Sequence, residues 1–289
     1  MEFPVIVSPD NEDLLEKLTG RRVALRVGRW DRIAAGLEMV RKSGCSLFCI
    51  IVESDRPVAD IDFGDCPAGV PLALMAPSTG RFRSLARHLD MLRTLNLRVY
   101  LPWDSAENLP GLRILSSVGI NCCAYSETGL TDWEALADLA TYALLERAPH
   151  AAIEPFAYIA SNYNPSEYLH WGRVMFDDPT CFAHSDEAGR VALSRSELAR
   201  GCFVARSPRE ISAWPELPEV RDRKLSWKRF FAENHPCASC PGWKICLGKF
   251  SAGLAQNGGC ATFFEEMIDL VHRYRAMPAP RREVEIWRP

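Results

Sequence analysis

Short apolar runs alternate with amphipathic segments along the first half of the chain. Six runs rich in valine, isoleucine and leucine have the length and composition of buried β-strands. They cover residues 5–7, 23–27, 47–52, 71–75, 97–101 and 120–124. Strands that are apolar along their whole length are typical of parallel sheets with both faces covered.

Four segments between these runs have the spacing of amphipathic helices, at residues 10–18, 31–42, 81–94 and 131–146. Gly20 and Gly44 follow the first two, where a helix C-terminus favours glycine. Thr131-x-x-Glu134 predicts a capping box at the fourth. Repeated strand–helix units predict an α/β fold, with about six units suiting a partial (βα) barrel. A doubly wound sheet is the alternative arrangement.

The hydrophobic pattern changes near residue 160, where turn-forming residues become frequent. Residues 181–184 and 190–193 predict a β-hairpin, and residues 207–218 a proline-rich linker. An amphipathic helix is predicted over residues 261–276. We therefore predict a partial βα-barrel domain over residues 1–165 and a small cysteine-rich domain with a C-terminal helix over residues 166–289.

Composition limits the classes of function. Of 289 residues, 47% are hydrophobic and 25% charged, as in an ordinary globular protein. A net charge of −3 gives no basic footprint for nucleic acid. The first residues lack the positive region of a signal peptide, and residues 47–52 are too few to span a bilayer. We expect a cytoplasmic protein with no nucleic-acid or membrane partner, in which thiols stay reduced.

Four of the eleven cysteines lie close together near the end of the sequence. Cys237, Cys240, Cys246 and Cys260 have the spacing C-x2-C-x5-C-x13-C. Reduced thiols in this arrangement favour metal binding over disulfides, because four thiolates at short intervals can surround one metal centre. An iron–sulfur cluster and a tetrahedral zinc ion, with His235 nearby, both remain open on these residues.

The segment from about residue 181 to residue 264 resembles the SPASM domain, the auxiliary iron–sulfur region of many radical-SAM peptide-modifying enzymes. In two-cluster members, one [4Fe-4S] cluster is held by the C-x2-C-x5-C cysteines and the final cysteine. The resemblance implies that Cys237, Cys240, Cys246 and Cys260 bind one [4Fe-4S] cluster. Zinc is the alternative metal.

The second cluster of the SPASM pattern is incomplete in this chain. Its first cysteine corresponds to Cys181 and its hairpin glycine to Gly189, but its other two cysteine positions hold Ser194 and Phe250. Cys202 lies eight residues beyond Ser194 and does not fit the spacing. The resemblance therefore implies one cluster, and whether Cys181 or Cys202 binds anything stays open.

The C-x3-C-x2-C motif that binds S-adenosylmethionine in radical-SAM enzymes is absent from the sequence. The nearest approach is Cys45-x3-Cys49, where Val52 replaces the third cysteine and the segment is a predicted buried strand. The resemblance thus implies a radical-SAM-like barrel without S-adenosylmethionine cleavage, as in GeoRSP-type SPASM proteins. Such proteins accompany active radical-SAM maturases, so a maturase and its precursor peptide are the expected partners.

Polar residues after three predicted strands keep an enzymatic alternative open, because βα barrels carry their functional groups there. They are Glu53, Asp55, Trp103, Asp104, Ser126 and Glu127. Aromatic residues around the cysteines fit either a peptide groove or the core of a metal domain: Trp171, Trp214, Trp227, Phe230, Phe231 and Trp243. We predict an iron–sulfur accessory protein with no catalytic residue, acting in peptide or partner recognition or in electron relay. A small-molecule enzyme with a structural metal and a zinc-stapled binding module are the alternatives.

Overall fold

The structure is a computed structural model that describes residues 3–64, 66, 67, 69–105, 107–126, 132–211, 213–251 and 259–277. Within these residues the protein is α/β, with nine strands that pair mostly in parallel. The strands are β1 (Val5–Pro9), β2 (Arg22–Val27), β3 (Ser46–Glu53), β4 (Leu72–Met75), β5 (Leu97–Pro102), β6 (Asn121–Tyr125), β7 (Ile153–Glu154), β8 (Phe182–Ser185) and β9 (Val191–Ala192).

Twelve α-helices accompany these strands in the described part of the chain. They are α1 (Glu12–Lys17), α2 (Ile33–Ser43), α3 (Phe82–Leu85), α4 (Leu89–Thr94), α5 (Asn108–Ser117), α6 (Trp133–Leu145), α7 (Phe156–Asn162), α8 (Arg195–Ala199), α9 (Pro218–Leu225), α10 (Lys228–Ala232), α11 (Trp243–Cys246) and α12 (Gly259–Ala276). None of the helices in the described ranges combines the length and the apolar character needed to cross a membrane.

The chain divides into two compact units, each made of two separate stretches of sequence. The first unit comprises Met1–Arg98 and Met175–Leu225, and the second comprises Val99–Val174 and Ser226–Arg288. These units are defined by contacts between residues. The domain division predicted at residue 165 stays a prediction.

In the first unit the strand order is β4-β3-β2-β1-β8-β9. Strands β1 to β4 are parallel to their neighbours, and Val23, Ala24 and Leu25 of β2 are fully buried, as the apolar runs predicted. The predicted hairpin is confirmed, because β8 pairs with β9 in antiparallel register. In addition, β8 pairs in parallel with β1, with Val5 opposite Phe182, a pairing that the sequence did not reveal.

Helices of the first unit lie close to their predicted positions. Helix α2 ends at Gly44, whose φ of 71° is left-handed, as its glycine indicated. The helix predicted over residues 81–94 is divided into α3 and α4 by a 3₁₀ turn at Ala86–His88. The linker predicted at residues 207–218 is packed into the unit, because Ile211 and Trp214 are buried in an apolar cluster.

In the second unit the strand order is β7-β6-β5, and β6 pairs in parallel with β7. The cap of α6 is Asp132 and not the predicted Thr131. The Asp132 side chain accepts the N–H of Ala135. Thr131 itself lies outside the described residues. The predicted C-terminal helix is confirmed as α12, which packs along α6. Arg275 ties α12 to α7 by donating to the carbonyls of Ala160 and Tyr163.

Candidate metal centre

The first two cysteines of the candidate site follow a sharp turn. Asn234 has a left-handed φ of 49°, and a 3₁₀ turn at Pro236–Ser239 then carries Cys237. His235 precedes this turn and its Nδ1 accepts the backbone N–H of Cys237 at 3.2 Å. Cys240 ends the turn in an extended conformation. His235 therefore acts as a cap, so one of its ring nitrogens is already used for this hydrogen bond.

The third cysteine ends a single helical turn. Helix α11 ends at Cys246, and the next two residues, Leu247 and Gly248, both have left-handed φ values, of 51° and 75°. This reversal brings the backbone N–H groups of Gly248 and Phe250 to the Cys246 sulfur. Hydrogen bonds of this kind stabilise a thiolate over a thiol and tune iron–sulfur clusters.

Two glycines of this segment are packed tightly against aromatic rings. A Cβ atom at Gly248 would lie 2.0 Å from Cε2 of Phe230, and one at Gly242 would lie 2.1 Å from Cβ of Phe264. Since real contacts are never this short, no side chain fits at either position without a shift of the ring. The glycines therefore allow α11 to lie directly against its aromatic neighbours.

The fourth cysteine lies in the first turn of α12, as the sequence predicted. Cys260 is the second residue of this helix, where the backbone N–H groups of Ala261 and of Cys260 itself act to lower the pKa of its thiol. The free N–H groups and the dipole of a helix N-terminus favour negative charge at this position. These N–H groups partly offset the rise in the pKa of Cys260 that its burial causes, since the residue is only 7% exposed.

The four cysteines lie close enough for the charge of one thiolate to affect the pKa of another thiol. Burial raises the pKa of Cys237, and the nearby thiolates of Cys240 and Cys260 raise it further. Burial raises the pKa of Cys246 to about 12, with smaller contributions from Cys260 and Cys237. Burial followed by the charge of Cys240 raises the pKa of Cys260. The fold therefore brings together all four of the cysteines that the spacing selected.

A single metal ion needs at least three ligand side chains that converge closely. Three Cys, His, Asp or Glu side chains close enough to hold a metal ion occur nowhere in the described part of the chain. A tetrahedral zinc ion has Zn–S bonds of about 2.3 Å, which places its sulfurs only about 3.8 Å apart. Four buried or half-buried thiols provide the thiolate donors that both zinc and iron–sulfur clusters accept, and backbone N–H groups act on two of them, Cys246 and Cys260.

Phe250 occupies a position where the SPASM pattern has a cysteine. Its ring meets Trp133 edge-on at 5.0 Å, and it also contacts Trp103, Trp171 and Phe264 at about the same range, 6.0 to 6.2 Å. Phe250 is buried among these rings. At this position the chain therefore has an aromatic core contact in place of a ligand.

The remaining aromatic residues divide between core and surface. Trp171 and Trp214 are buried, whereas Tyr168, Trp227, Phe231 and Trp243 contact one another at 4.8 to 6.0 Å and form what we call the aromatic surface. Tyr168 and Phe231 are 45% and 44% exposed. Sequence reasoning missed Tyr168, because it lies far from the cysteines in the chain.

The first unit contains the residues that were compared with the second cluster of the SPASM pattern, namely Cys181, Ser194 and Cys202. Cys181 is half-buried beside Thr180, with 3.6 Å between the hydroxyl oxygen and the sulfur, and Cys202 is exposed. Ser194 is buried and caps α8, where its hydroxyl accepts the N–H of Glu197 at 3.2 Å. Ser194 therefore has a local structural role at the position of the missing cysteine.

The Cys45-x3-Cys49 segment is not a ligand loop. Cys49 is fully buried in β3, and burial raises the pKa of its thiol. The thiol of Cys45 donates to the carbonyls of Leu15 and Leu18 at 3.3 and 3.2 Å. Both residues are core or near-core thiols, as the apolar run predicted.

The loop residues that are compatible with an enzymatic function have different environments. Glu53 and Asp55 line a cavity of the first unit. Trp103 is buried and stacked on Trp171, with ring centres 5.9 Å apart. Glu127 lies outside the described residues. Of these loops, the Glu53–Asp55 loop is the one that the structure places in the lining of this cavity.

No protein-family model, curated protein or solved structure matches this chain. The resemblance to the SPASM domain therefore stays a prediction that rests on the cysteine spacing. The local structure adds the mutual proximity of the four thiols and the N–H groups that face two of them.

Proposed function

We propose that this protein is a cytoplasmic iron–sulfur accessory protein of a radical-SAM peptide-modification system. In this proposal a SPASM-like region follows a partial (βα) barrel and binds one [4Fe-4S] cluster through Cys237, Cys240, Cys246 and Cys260. The chain has no S-adenosylmethionine cleavage of its own. The observation that carries the proposal is the proximity of these four thiols. The charge of at least one of the other thiolates helps to raise the pKa of Cys237, of Cys246 and of Cys260.

The resemblance of the cysteine spacing to the SPASM domain is what favours iron–sulfur over zinc. The N–H groups directed at Cys246 and Cys260 are the further support, because such donors stabilise cluster-bound thiolates.

A ligand set of four cysteines favours electron relay or structural support over catalysis at iron. When bound, a [4Fe-4S] cluster supplies one-electron transfer. With every iron bound by the protein, no coordination position is left for substrate. The chain's own contribution is the buried aromatic surroundings and the N–H donors, which exclude water and set the electrostatics of the site.

The metal content tests this proposal directly. Protein purified without oxygen and reconstituted with iron and sulfide is expected to hold about four iron and four sulfide per chain and to absorb near 400 nm. A colourless protein that binds one zinc ion instead would overturn the proposed cluster. Incubation with S-adenosylmethionine and a strong reductant is expected to give no cleavage, and turnover would contradict the non-catalytic part.

The aromatic surface supports recognition of an acidic peptide segment. Lys228 lies 5.9 Å from the Trp227 ring centre, and Lys244 lies 5.7 Å from that of Trp243. Exposed aromatic side chains that form one patch are typical of protein interfaces. The occupant that complements both features is a peptide that alternates acidic and apolar side chains, contributed by the maturase or its precursor peptide.

A labelled peptide tests this surface. We expect a fluorescein-labelled peptide of alternating glutamate and leucine to bind, and Phe231→Ala to weaken its binding by about tenfold, because aromatic anchors dominate such interfaces. Phe82→Ala is the matched control, since Phe82 is exposed by 51% but lies in the first unit. Equal loss in both variants, or equal binding of a lysine–leucine peptide, would contradict an acidic partner.

A further inference from the structure

The first unit contains an open cavity of about 740 Å³ at the carboxyl ends of β2 and β3. It is lined by residues of the segments 28–34 and 53–64. Ligands of α/β proteins bind preferentially beyond the carboxyl ends of parallel strands, and cavities of this volume accommodate small molecules or short peptide segments. The cavity is independent of the cysteines and of the function proposed for them.

One side of the cavity is apolar and well packed. Trp30 is buried there and meets Phe63 edge-on, with ring centres 4.7 Å apart. Gly28 also lines the cavity, and a Cβ atom at this position would meet no atom within 4 Å. The space above Gly28 is therefore open to a ligand beside a fixed aromatic wall.

Part of the charge around the cavity is already neutralised. The Glu53 carboxylate lies 3.4 Å from the Arg195 guanidinium and 4.0 Å from that of Arg26. Arg29 forms an exposed ion pair with Asp31. Glu53, Arg29 and Asp31 line the cavity, and these ion pairs compensate their charges within the protein.

Two carboxylates in the lining have no such compensation. Asp55 and Asp62 are exposed and make no ion pair within the described residues, and the same holds for the guanidinium of Arg56. The Ser54 hydroxyl accepts the N–H of Arg56 and donates to its carbonyl, each at 3.0 Å, which fixes the turn that carries Asp55. The uncompensated charge is thus two negative groups against one positive group.

We propose that this cavity binds a basic residue, with its guanidino or amino group at Asp55 and Asp62. Arg56 then donates hydrogen bonds to a carbonyl or carboxylate of the same ligand. The aliphatic stem of the bound ligand lies along the apolar wall of the cavity. The ligand is either a free amine or an arginine or lysine side chain of a peptide. An anionic ligand is disfavoured, because it would meet both carboxylates.

Calorimetric titration with defined probes tests the site. The probes are agmatine, the peptide Gly-Arg-Gly and, as the anionic comparison, succinate. We expect one or both cations to bind with a dissociation constant below about 1 mM and succinate not to bind. Binding of the peptide alone assigns the site to a peptide side chain, whereas binding of agmatine shows that a free amine suffices.

Two variants connect binding to the cavity. D55N/D62N is expected to weaken cation binding by at least about tenfold, because both compensating charges are removed. E265Q/E266Q makes the same charge change on exposed positions of α12 and is expected to leave binding unchanged. Gly28→Leu, for which the structure has room, is expected to abolish binding while the unfolding midpoint stays unchanged.

The proposal fails if neither cation binds at about 10 mM, a concentration that detects even weak sites. It also fails if D55N/D62N or Gly28→Leu, shown to be folded by its unfolding midpoint, binds the cations as the native chain does. Because Asp55, Asp62 and Gly28 lie outside the cysteine segment, iron content is measured in parallel. Normal iron with no cation binding overturns this proposal alone, and cation binding without iron overturns only the cluster.

Discussion

The hairpin of the first unit and the cysteine segment of the second unit place their cysteines in different surroundings. In the cysteine segment, the charge of a neighbouring thiolate helps to raise the pKa of Cys237, Cys246 and Cys260. In the hairpin region, Ser194 caps a helix and Cys202 is exposed. The difference is that Ser194 has a structural role in the hairpin region, whereas the cysteines of the other segment interact through their charges.

The hairpin keeps its fold because other contacts stabilise it. Strand β8 pairs with β1, and Trp214 packs beneath the hairpin in the apolar cluster and donates to the Pro179 carbonyl at 2.7 Å. No comparable strand pairing involves residues 237–246 in the described structure. We therefore expect the cysteine segment to depend on its metal and the hairpin to be independent of it.

Exchange of single cysteines gives the largest expected contrast. Cys246→Ser is expected to lower the iron content by about tenfold and to expose the C-terminal region to protease, because metal binding and folding are linked. Cys181→Ser is the matched variant in the hairpin and is expected to keep its iron. Iron and sulfide analysis of both proteins provides the measurement. Similar losses in the two variants would show that the hairpin also contributes a ligand.

Replacement of a glycine that has a left-handed φ by alanine is expected to give the next largest effect, which is on the free energy of unfolding. Gly248→Ala is expected to lower the free energy of unfolding by about 4 kcal/mol, since its Cβ would overlap Phe230 and φ is 75°. In the hairpin, Gly189 has a φ of 83°, but an added Cβ atom would meet only the end of the Leu14 side chain, at 3.1 Å. Gly189→Ala is therefore expected to lower the free energy of unfolding by about 1–2 kcal/mol. Urea denaturation of both variants compares them, and equal costs would contradict the tight packing at Gly248.

Acidification is expected to destabilise the hairpin. His184 is buried, its Nε2 lies 2.8 Å from the Phe176 carbonyl oxygen, and burial lowers its pKa to about 4. As pH falls from 6.5 to 4, the unfolded chain gains a proton that the folded imidazole does not take up. The free energy of unfolding should therefore fall by up to about 3 kcal/mol over this range.

The variant His184→Gln separates this effect from other titrations. It removes the imidazole, so the difference in unfolding free energy between pH 7 and pH 4.5 should become smaller than in the native chain. The raised thiol pKa values of Cys237, Cys246 and Cys260 lie above this pH range, so these thiols do not titrate there. An unchanged pH dependence in the variant would contradict the buried neutral histidine.

The smallest effect concerns the serine at the missing cysteine position. Ser194→Ala is expected to cost about 1 kcal/mol through loss of the helix cap, with no change in iron. Ser194→Cys restores the residue of the SPASM pattern and is also expected to leave the iron content unchanged, because Phe250 still occupies the other position. Additional iron in Ser194→Cys would show that the hairpin retains a latent second site.

Much of the fold could be predicted from the sequence, because long apolar runs identify buried parallel strands. Strands β1 to β6 all coincide with predicted runs. Strand β7 has only two residues, too few for any periodicity. Helix α5 was also missed, because Pro110 and Gly111 resemble a turn; proline is tolerated there since it lies in the first turn of the helix.

The candidate site was predictable only in part. The spacing of the cysteines selected residues that the fold brings together, since three of them lie within ten residues of one another. The left-handed turn at Leu247–Gly248 and the role of Phe250 were not predictable. Both depend on rings far away in the sequence, such as Trp133, whose positions are set by tertiary packing.

The placement of Cys260 has a consequence for how the protein matures. Three of the four cysteines lie on one short stretch, whereas Cys260 belongs to α12, which is positioned by packing along α6, more than a hundred residues earlier in the chain. A nascent chain therefore presents three thiols at once and gains the fourth only when α12 docks. Retention of the proposed cluster would then report that α12 has docked on α6, so that cluster content would measure completed folding.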